Sequence, residues 1–600
     1  MRYKNVYALF RERVAQMRDR PAFWERGPTG WTSIGWAEWE RDAHRFAWAL
    51  LAEGLTPGAA VCILAGNAPV WPTSDVGTII AGGVSVGIYP TSSAEQCRYI
   101  IDHSDAEFVV VDTVAQAEKI MRVRHELPKL KGIIAVDEEA ARRFALVAYR
   151  EFLRRGEAAR ARVEAEQRRR ASEAHADETA IIVYTSGTTG LPKGACLSHR
   201  YIINSVESLR ATVPIYDWDV TFSYLPYCHV AERISGLYNR LYAGTAAHFV
   251  TDISKLDEYM TEVRPTVFAS LPRFFEKIYA RIQSDLARDT ERERAAFREA
   301  LKLGHQVASL RRARQQIPSE LQREYERRAR PVLARVHDYF GGRLRLATSG
   351  GAPLPVEIGE FFDACGITIL QAYGLTENVC VAFNRPDRYK FDAVGPPMPG
   401  CEVRIAEDGE IMVRSQMMFS GYYKEPERTA EVVRDGWLLT GDLGELDADG
   451  FLRITGRKKE LIVTSTGKKI APSFIENLLK AEPLISQAFV YGEGRSYLVA
   501  LLTLNRAEAE RWARSSGIAF KDFAELITRP EIEAMVRRAV EQVNARVSST
   551  EQIKRFLILD RDFEIERDEL TPTLKLRRET IARHFADQIA WLYGEARPID

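Results

Sequence analysis

The sequence has few of the features that mark secreted or nucleic-acid-binding proteins. It contains only 7 cysteines in 600 residues, and no two of them have the C-x-x-C spacing of a zinc or redox site. This scarcity predicts a reducing compartment and no structural zinc. Lys plus Arg and Asp plus Glu both number 83, so no excess of positive charge favours a nucleic-acid partner.

Long apolar runs are also missing. The chain begins Met-Arg-Tyr-Lys-Asn-Val, without the apolar core of a signal peptide. The most apolar stretch, residues 76–89, is well short of the roughly 20 residues that a membrane-spanning helix needs, and it predicts a buried helix and strand instead. The sequence therefore predicts a cytoplasmic protein. Peripheral contact with the inner face of a membrane stays open as an alternative.

The patterns that are present are typical of a globular protein with more than one domain, because 600 residues exceed a single hydrophobic core. Helical spacing over residues 36–51 and apolar runs at 60–64 and 108–111 predict alternating helices and buried strands. Such alternation is typical of an α/β fold built from βαβ units. We predict a large N-terminal domain over residues 1–456, with parallel or mixed sheets and packed helices, and a small α+β C-terminal domain over residues 457–600.

Two charged segments interrupt this alternation, at about residues 141–175 and 281–335. Both are rich in Arg and Glu and predict helical insertions. The favoured interpretation is solvated helices with ion pairs between residues four apart. A basic surface that meets an anionic membrane or a partner is the alternative, which the many glutamates weaken.

A loop rich in glycine and hydroxyl residues follows the apolar run 180–183, which predicts a buried strand. Glycines let backbone N–H groups approach an anion, hydroxyls add neutral donors, and a lysine adds charge, so we predict a phosphate-binding loop. Such composition alone would also fit a flexible loop. The loop is not a Walker A motif, because Gly194 follows the lysine. Its predicted ligand-binding residues are Thr185, Ser186, Gly187, Thr188, Thr189, Gly190 and Lys193.

Further motifs follow in order along the chain. Taken singly, each predicts only a tight turn or a solvated basic run. Together with the phosphate loop, their order and spacing resemble the adenylate-forming superfamily, which includes acyl-CoA synthetases, luciferases and the adenylation domains of peptide synthetases. The resemblance covers almost the whole chain. The motifs occupy residues 345–354, 371–377, 435–444, 454–460, 466–470 and 570–577.

This resemblance implies ATP and Mg²⁺ as ligands and assigns roles to individual residues. Adenine would lie between Tyr373 and the segment Gly350, Gly351 and Ala352, with Gly374 in the same nucleotide site. Thr376 would contact the α-phosphate, Asp442 would accept the ribose hydroxyls, and Arg457 would lie near the ribose and phosphate. Glu377 would bind Mg²⁺, with Thr188 as a candidate second ligand. Lys575 would reach the acyl carboxylate and the bridging oxygen, and His229 would lie near the carboxylate and its access path.

The resemblance also implies that the small domain is mobile. In relatives, one lysine serves the first half-reaction and the small domain then rotates about a hinge, here near Lys459. The rotation would withdraw Lys575 and bring Gly467 and Lys469 towards CoA. A hinge of this kind is a few residues that absorb a large backbone change.

Leu574, Lys459, residues 270–279 and the two insertions resemble the long-chain fatty acyl-CoA synthetase branch. Many other relatives have glycine at the first position and an acidic residue at the second. The resemblance implies ATP-dependent activation of a long-chain fatty acid, release of pyrophosphate, and transfer of the acyl group to CoA. Three alternatives remain: a ligase for another carboxylic acid, an enzyme that loads a carrier protein, and a non-catalytic relative. The last is disfavoured because Lys193, Glu377, Asp442, Arg457 and Lys575 are all present.

Overall fold

The structure, a computed structural model, describes residues 1–185, 191–571 and 574–595. Strands and helices alternate through most of the chain, and the α/β class predicted from the sequence is confirmed. The predicted helix at 36–51 is Trp36–Ala52, and the predicted strands at 60–64 and 108–111 are Ala60–Leu64 and part of Ala106–Val111. The stretch 76–89 contains the end of helix Val70–Ile80 and strand Val84–Gly87, both buried as expected.

Two eight-stranded sheets form the large domain, and both are parallel in their centres and antiparallel at one or both edges. In spatial order, the first contains Asn378–Phe383, Ile369–Leu375, Leu346–Ser349, Val267–Ser270, Val220–Ser223, Ala246–Phe249, Pro21–Gly27 and Gly30–Gly35. The second contains Gly421–Tyr422, Lys193–Ser198, Thr179–Thr185, Val84–Gly87, Ala60–Leu64, Ala106–Val111, Gly132–Ala135 and Val147–Ala148. Because the central strands of each sheet are parallel, their carboxyl ends lie at one edge of the sheet, which is where ligands bind in folds of this kind.

An antiparallel sheet follows, and its last strand leads into the small domain. This sheet contains Cys401–Ile405, Glu410–Ser415, Trp437–Leu446, Val433–Arg434 and Leu452–Arg457. The predicted domain boundary at 456/457 falls at the end of Leu452–Arg457, immediately before the 3₁₀ turn Lys458–Glu460. Beyond that turn, Ile462–Val463 pairs with Lys469–Ile470, and Ile485–Tyr491, Leu498–Leu504 and Ile553–Ile558 form a three-stranded sheet.

Helices cover the sheets of both domains. Those of the large domain are Val6–Met17, Trp36–Ala52, Val70–Ile80, Ala94–His103, Val114–Val123, Glu138–Arg143, Tyr149–Glu173, His199–Thr212, Asn239–Ala243, Leu256–Val263, Pro272–Arg288, Glu291–Arg312, Ser319–Glu324, Arg330–Asp338, Val356–Ala364 and Pro426–Val432. Those of the small domain are Pro472–Lys480, Arg506–Ser515, Phe523–Ile527, Pro530–Asn544, Arg578–His584 and Ala586–Leu592. Ala231–Tyr238 and Tyr325–Ala329 are π-helical. Among the described residues, none of the helices combines the length and apolar character needed to cross a bilayer.

The two charged segments are helical, as predicted, and ion pairs between residues four apart line their exposed faces. Helix Tyr149–Glu173 nevertheless has a buried face. A Cβ atom on Gly156 would lie only 1.9 Å from the carbonyl oxygen of Arg45, so glycine permits a close crossing of two helices. Gln167 is fully buried and donates a hydrogen bond to the carbonyl of Ile80. This insertion is therefore packed on one side and solvated on the other.

The seven cysteines are free thiols, and five of them are buried. Burial raises the pKa of every one of the seven, so none is a ready thiolate.

Candidate active site

An ion pair on two adjacent antiparallel strands lies beside Tyr373, and we call the region between the two domains around these residues the cleft. Asp442 and Arg457 face each other across the ladder, with the Arg457 Nε atom 2.8 Å from Asp442 Oδ1. The Tyr373 hydroxyl donates to the other oxygen of Asp442 at 2.6 Å. Asp442 is only 3 % exposed, so these two donors compensate a buried carboxylate. Burial acts to lower the pKa of the Arg457 guanidinium, but the negative charges of Asp442 and Glu460, with smaller contributions from Tyr373 and Glu377, together raise it above its ordinary value.

The backbone of the turn that carries Thr376 and Glu377 is hydrogen-bonded to the side chain of a buried tyrosine. The Tyr201 hydroxyl donates to the Thr376 carbonyl at 2.9 Å and accepts the N–H of Val379 at 3.0 Å. Gly374 is required just before this turn, because a Cβ atom there would lie 2.0 Å from the Val379 carbonyl oxygen. The turn therefore has one tightly defined backbone position.

The Glu377 carboxylate lies above that turn. Its Oε1 atom accepts a hydrogen bond from the Tyr422 hydroxyl at 2.5 Å. Among the residues that the structure describes, no group of three or more His, Cys, Asp or Glu side chains could hold a metal by itself. A single carboxylate suits Mg²⁺, a hard cation that usually keeps several waters and shares substrate phosphates. Glu377 therefore fits the predicted role of Mg²⁺ ligand.

The ends of the predicted phosphate loop lie in the edge of the second sheet. Thr185 ends one strand and Lys193 begins the next, and the two residues pair directly across the ladder. The Lys193 ammonium lies over the ring of Tyr422, 4.7 Å from its centroid. Five residues predicted to bind ligand, Ser186, Gly187, Thr188, Thr189 and Gly190, lie outside the described residues.

Gly350, Gly351 and Ala352 follow strand Leu346–Ser349 at the same edge. A Cβ atom on Gly350 would lie 3.5 Å from the Ala372 carbonyl, which places this segment beside the strand that carries Tyr373. Gly351 has a φ of +82°, a conformation that strongly favours glycine. The structure thus brings the two predicted adenine-binding segments onto neighbouring strands.

Lys575, in the small domain, is hydrogen-bonded to Thr571 through both its carbonyl and its N–H. Its carbonyl accepts the N–H of Thr571 at 2.8 Å, and its own N–H donates to the Thr571 hydroxyl at 3.1 Å. Leu574, just before it, has a φ of 60°, where glycine would cost least. This explains physically why glycine suits the position in many relatives, whereas leucine here accepts some backbone strain.

The charge of Lys575 acts on residues of both domains. Crowding by protein atoms and then the Arg457 charge lower the pKa of the Lys575 ammonium, while Asp442, Glu460 and Glu377 oppose the decrease. The Lys575 side chain is nevertheless exposed to solvent. The predicted catalytic cation and the predicted nucleotide-binding carboxylates are therefore brought together.

His229 lies on the wall of the same cleft. Burial and then the Lys575 charge lower the pKa of its imidazole to about 4, so the ring is neutral at physiological pH. Its Nδ1 atom accepts the N–H of Ala231 at 3.2 Å, which places the proton on Nε2. The ring thus offers a neutral N–H donor.

The π-helical segment after His229 rests on buried ion pairs that the sequence did not predict. Arg233, with no exposed surface, pairs with Asp75, which also accepts from the Tyr238 hydroxyl at 2.6 Å. Glu232 pairs with Arg240 at 2.8 Å. A run such as Glu232-Arg233 is usually a solvated helix face, and no sequence signal distinguished this one.

The predicted hinge residue Lys459 is exposed in the 3₁₀ turn Lys458–Glu460. Its neighbour Lys458 is anchored to Glu410 of the large domain at 2.9 Å. Gly467 has a φ of +76° in the tip of the hairpin that also carries Lys469. None of the hydrogen bonds or ion pairs among the described residues joins Gly467 or Lys469 to the group around Asp442.

The small domain touches the large one through polar side chains, which we call the interdomain contact. Away from the Lys458 ion pair at the boundary, it includes the ion pair between Arg546 and Glu357, at 2.6 Å, and a hydrogen bond of 3.2 Å from Arg273 to the Ser486 carbonyl. Both members of the ion pair are about half exposed. Exposed polar contacts of this kind are easily broken.

Comparison with known proteins gives two family matches that together span nearly the whole chain. A family described as AMP-binding enzyme matches residues 10–423, and one described as AMP-binding enzyme C-terminal domain matches residues 459–597. Long-chain-fatty-acid–CoA ligase FadD15 of Mycobacterium tuberculosis is 34% identical over 580 residues, covering 94% of this chain and 93% of that protein. Long-chain-fatty-acid–CoA ligase ACSBG2 of Gallus gallus is 32% identical over 631 residues, covering 99% and 82%.

Solved structures share the fold at lower identity. The adenylation domain of a carboxylate reductase from Mycobacterium chelonae has a TM-score of 0.75 and 23% identity, covering 98% of this chain and 91% of that chain. The anthranilate CoA ligase AuaEII, in complex with anthranoyl-AMP, has a TM-score of 0.74 and 18% identity, covering 98% of both chains. These neighbours agree with the predicted arrangement of a large N-terminal and a small C-terminal domain.

Proposed function

Because the chain belongs to the AMP-binding enzyme family, we propose that it is an AMP-forming ligase that joins a long-chain fatty acid to CoA. In the first half-reaction it would form the acyl adenylate from the acid and ATP and release pyrophosphate. In the second it would transfer the acyl group to the CoA thiol. The observation that carries the proposal is the convergence of Lys575 with Asp442, Glu377 and His229 of the large domain and with Arg457 at the domain boundary.

The nucleotide would bind against the large domain. Asp442, whose carboxylate is already oriented by Tyr373 and Arg457, would accept the two ribose hydroxyls. The adenine ring would lie between the Tyr373 ring and the Gly350–Ala352 segment. Because both partners are fixed before ATP arrives, little ordering cost would remain on binding.

The phosphates would lie between the Lys193 strand and the Glu377 turn. Mg²⁺, bound by Glu377, water and the phosphates, would neutralise part of the phosphate charge. Thr376 would contact the α-phosphate from the backbone position that Tyr201 holds. The phosphate loop and its predicted Mg²⁺ contact at Thr188 belong to the same proposal.

The attack of a carboxylate on the α-phosphorus brings two anions together. Lys575 and Arg457 would offset that repulsion at the reacting atoms, which is the preorganised electrostatic stabilisation that dominates in such sites. His229, neutral with its proton on Nε2, would orient the acid by donating a hydrogen bond without adding charge. These contacts would also exclude water from a reactive mixed anhydride.

The second half-reaction needs no protein nucleophile, because AMP leaves readily when the CoA thiol attacks. Cys228, which adjoins His229, is buried, and its raised pKa makes it unsuitable as a nucleophile. Rotation about Lys459 would withdraw Lys575 and present Gly467 and Lys469 to the pantetheine chain. The exposed polar interdomain contact is consistent with such a rotation.

The proposal is tested by pyrophosphate release over a ladder of fatty acids, with and without CoA. A long apolar tail contributes roughly 0.8 kcal/mol per buried CH₂, so kcat/KM should rise with chain length until the acyl site is full. We expect the optimum among long-chain acids, with acetate and benzoate poor. An optimum at a short or aryl acid would keep the AMP-forming chemistry and remove the long-chain assignment. Replacing CoA by a carrier protein distinguishes the two acceptors.

A further inference from the structure

Tyr422 links the two charged groups that face the phosphate region. Its hydroxyl donates to Glu377 Oε1 at 2.5 Å, and its ring face lies 4.7 Å from the Lys193 ammonium. The side chain is buried, with 8 % of the residue exposed, and Phe419 packs edge-on against it at a centroid distance of 4.9 Å. One side chain therefore contacts an anion through its hydroxyl and a cation through its ring.

The backbone around Tyr422 is joined to the same two elements. Tyr422 pairs with Ala195 in the strand that Lys193 begins, and the next N–H along the chain donates to the Gly194 carbonyl at 2.7 Å. On the other side, the Phe419 N–H donates to the Glu377 carbonyl at 2.8 Å. The segment 419–423 is thus hydrogen-bonded both to the Lys193 strand and to the Glu377 turn.

We propose that Tyr422 is a positioning residue, which holds the Glu377 carboxylate and the Lys193 ammonium at a fixed separation for the phosphates of ATP and their Mg²⁺. This inference rests on the proposed function. A hydroxyl that donates to a carboxylate forms a strong charge-assisted hydrogen bond, and an aromatic face attracts an ammonium. Without Tyr422, each charged side chain could rotate freely before the nucleotide binds.

The phenol is suited to this role at any physiological pH. A tyrosine hydroxyl ordinarily loses its proton only near a pH of about 10, so it remains a hydrogen-bond donor. The hydroxyl and the ring act on different partners, and two substitutions can therefore separate their contributions.

The first test is Tyr422→Phe, which removes the hydroxyl and keeps the ring. The Mg²⁺ concentration for half-maximal pyrophosphate release should rise about tenfold, the size expected for one hydrogen bond to a charged group. The rate at saturating Mg²⁺ should stay near that of the wild type. Binding of Mn²⁺ with a non-hydrolysable ATP analogue, followed by electron paramagnetic resonance, should weaken by the same factor.

The neighbouring residue provides the matched control. Tyr423 also carries a half-buried hydroxyl, but it donates to Asp105 at 3.1 Å instead of Glu377. Tyr423→Phe should leave both the Mg²⁺ dependence and Mn²⁺ binding unchanged. If Tyr422→Phe behaved like Tyr423→Phe in the two assays, the proposal would be overturned.

A second substitution, Tyr422→Leu, also removes the ring. It should raise the KM for ATP above that of Tyr422→Phe, because Lys193 loses its aromatic support. If the KM for ATP is the same in the two variants, the Tyr422 ring does not help to position Lys193. Thermal melting shows whether each variant is folded.

A double-mutant cycle keeps the inference testable if Tyr422→Phe is destabilised. Glu377→Gln removes the charge that the hydroxyl serves. Adding Tyr422→Phe to Glu377→Gln should weaken Mn²⁺ binding little further, whereas additive losses would contradict coupling between the two residues. Because the Mn²⁺ assay needs no turnover, it remains decisive even if the wild-type protein does not activate fatty acids.

Discussion

The two sides of the cleft are built in different ways. On the large-domain side, the Asp442 carboxylate is buried between two donors and the Glu377 turn is fixed by Tyr201. On the small-domain side, Lys575 is exposed, and the ion pair of the interdomain contact is half exposed as well. In the proposed function, this difference means that the predicted nucleotide-binding side is preorganised, whereas the predicted catalytic cation belongs to a domain that we propose to rotate.

The largest effect should come from removing the delivered cation. Lys575→Ala should reduce adenylate formation by roughly 10²–10³, the loss typical of one preorganised electrostatic group. Thioester formation from supplied acyl adenylate should change little, because in the proposed function the lysine serves only the first half-reaction. The two half-reactions are measured separately, by pyrophosphate exchange and by CoA consumption.

Lys554→Ala is the control for that experiment, because Lys554 is an exposed lysine of the same domain whose ammonium, among the described residues, donates a hydrogen bond to Gln552 alone. It should leave both half-reactions unchanged. If Lys575→Ala slows the two half-reactions equally, Lys575 does not act in the first half-reaction alone.

The next effect concerns the movement of the small domain. Lys459→Pro fixes φ at the hinge and restricts the residue before it, so the rotation should be hindered. Transfer to CoA should fall by about tenfold, which corresponds to about 1.4 kcal/mol of added barrier, while adenylation survives. Lys459→Ala, which keeps the backbone free, should show neither effect. Wild-type transfer rates in the proline variant would place the hinge elsewhere.

A smaller effect is expected at the interdomain contact. Glu357→Gln or Arg546→Gln should lower adenylation by no more than about fivefold, because exposed ion pairs are weak, and high salt should hide the difference. The exchange of both charges, Glu357→Arg with Arg546→Glu, should restore the wild-type rate. Arg537→Gln breaks an ion pair within one helix of the small domain and serves as the control. If the charge-exchanged variant does not recover activity, this ion pair does not support adenylation.

The last prediction separates the two domains by their response to acid. Burial lowers the pKa of His199, His229 and His248 to about 4, against an ordinary value of 6.5. As pH falls below 6.5, these histidines become protonated in the unfolded chain but stay neutral in the folded protein. The large domain therefore loses stability between pH 6.5 and about 4. In the small domain, burial opposes the charge of Glu569, but hydrogen bonds from Arg561 and His584 lower its pKa to about 2. That contribution is present above pH 4.5 and is lost only as pH falls from 4.5 towards 2.

Between pH 7.5 and pH 5, protection from hydrogen exchange should therefore decrease more in the large domain than in the small one. His199→Gln should reduce the acid sensitivity modestly, because Nδ1 of His199 only accepts the N–H of Val6, a role that an amide oxygen can replace. His175→Gln, at an exposed histidine, is the control. Equal acid sensitivity in both domains would contradict this prediction.

Local pattern was sufficient for much of the fold. The strand Ala60–Leu64 and the helix Trp36–Ala52 were predicted because their apolar spacing is decided within the segment itself. The approach of Lys575 to Asp442 was an expectation from resemblance, and the structure brings their charges together. Thus motif order was informative about the site even where single motifs were ambiguous.

Long-range partners were not predictable from the sequence. Tyr422 is 45 residues from Glu377, in a two-residue strand whose pairing depends on the whole sheet. The buried ion pair of Arg233 with Asp75 joins residues 158 positions apart, and nothing local distinguishes these charges from solvated ones. The backbone strain at Leu574 was also not predictable, because it is apparent only from the positive φ angle of this residue.

The state of the cysteines has a practical consequence for following domain motion. Because all seven thiols have a raised pKa, thiol-directed dyes should label the native protein slowly. Cysteines introduced at exposed Lys554 and Arg122, one on each domain, should react much faster than the native ones. A donor and acceptor dye pair could then be attached without first deleting any native cysteine, and energy transfer would report the opening and closing of the cleft during single turnovers.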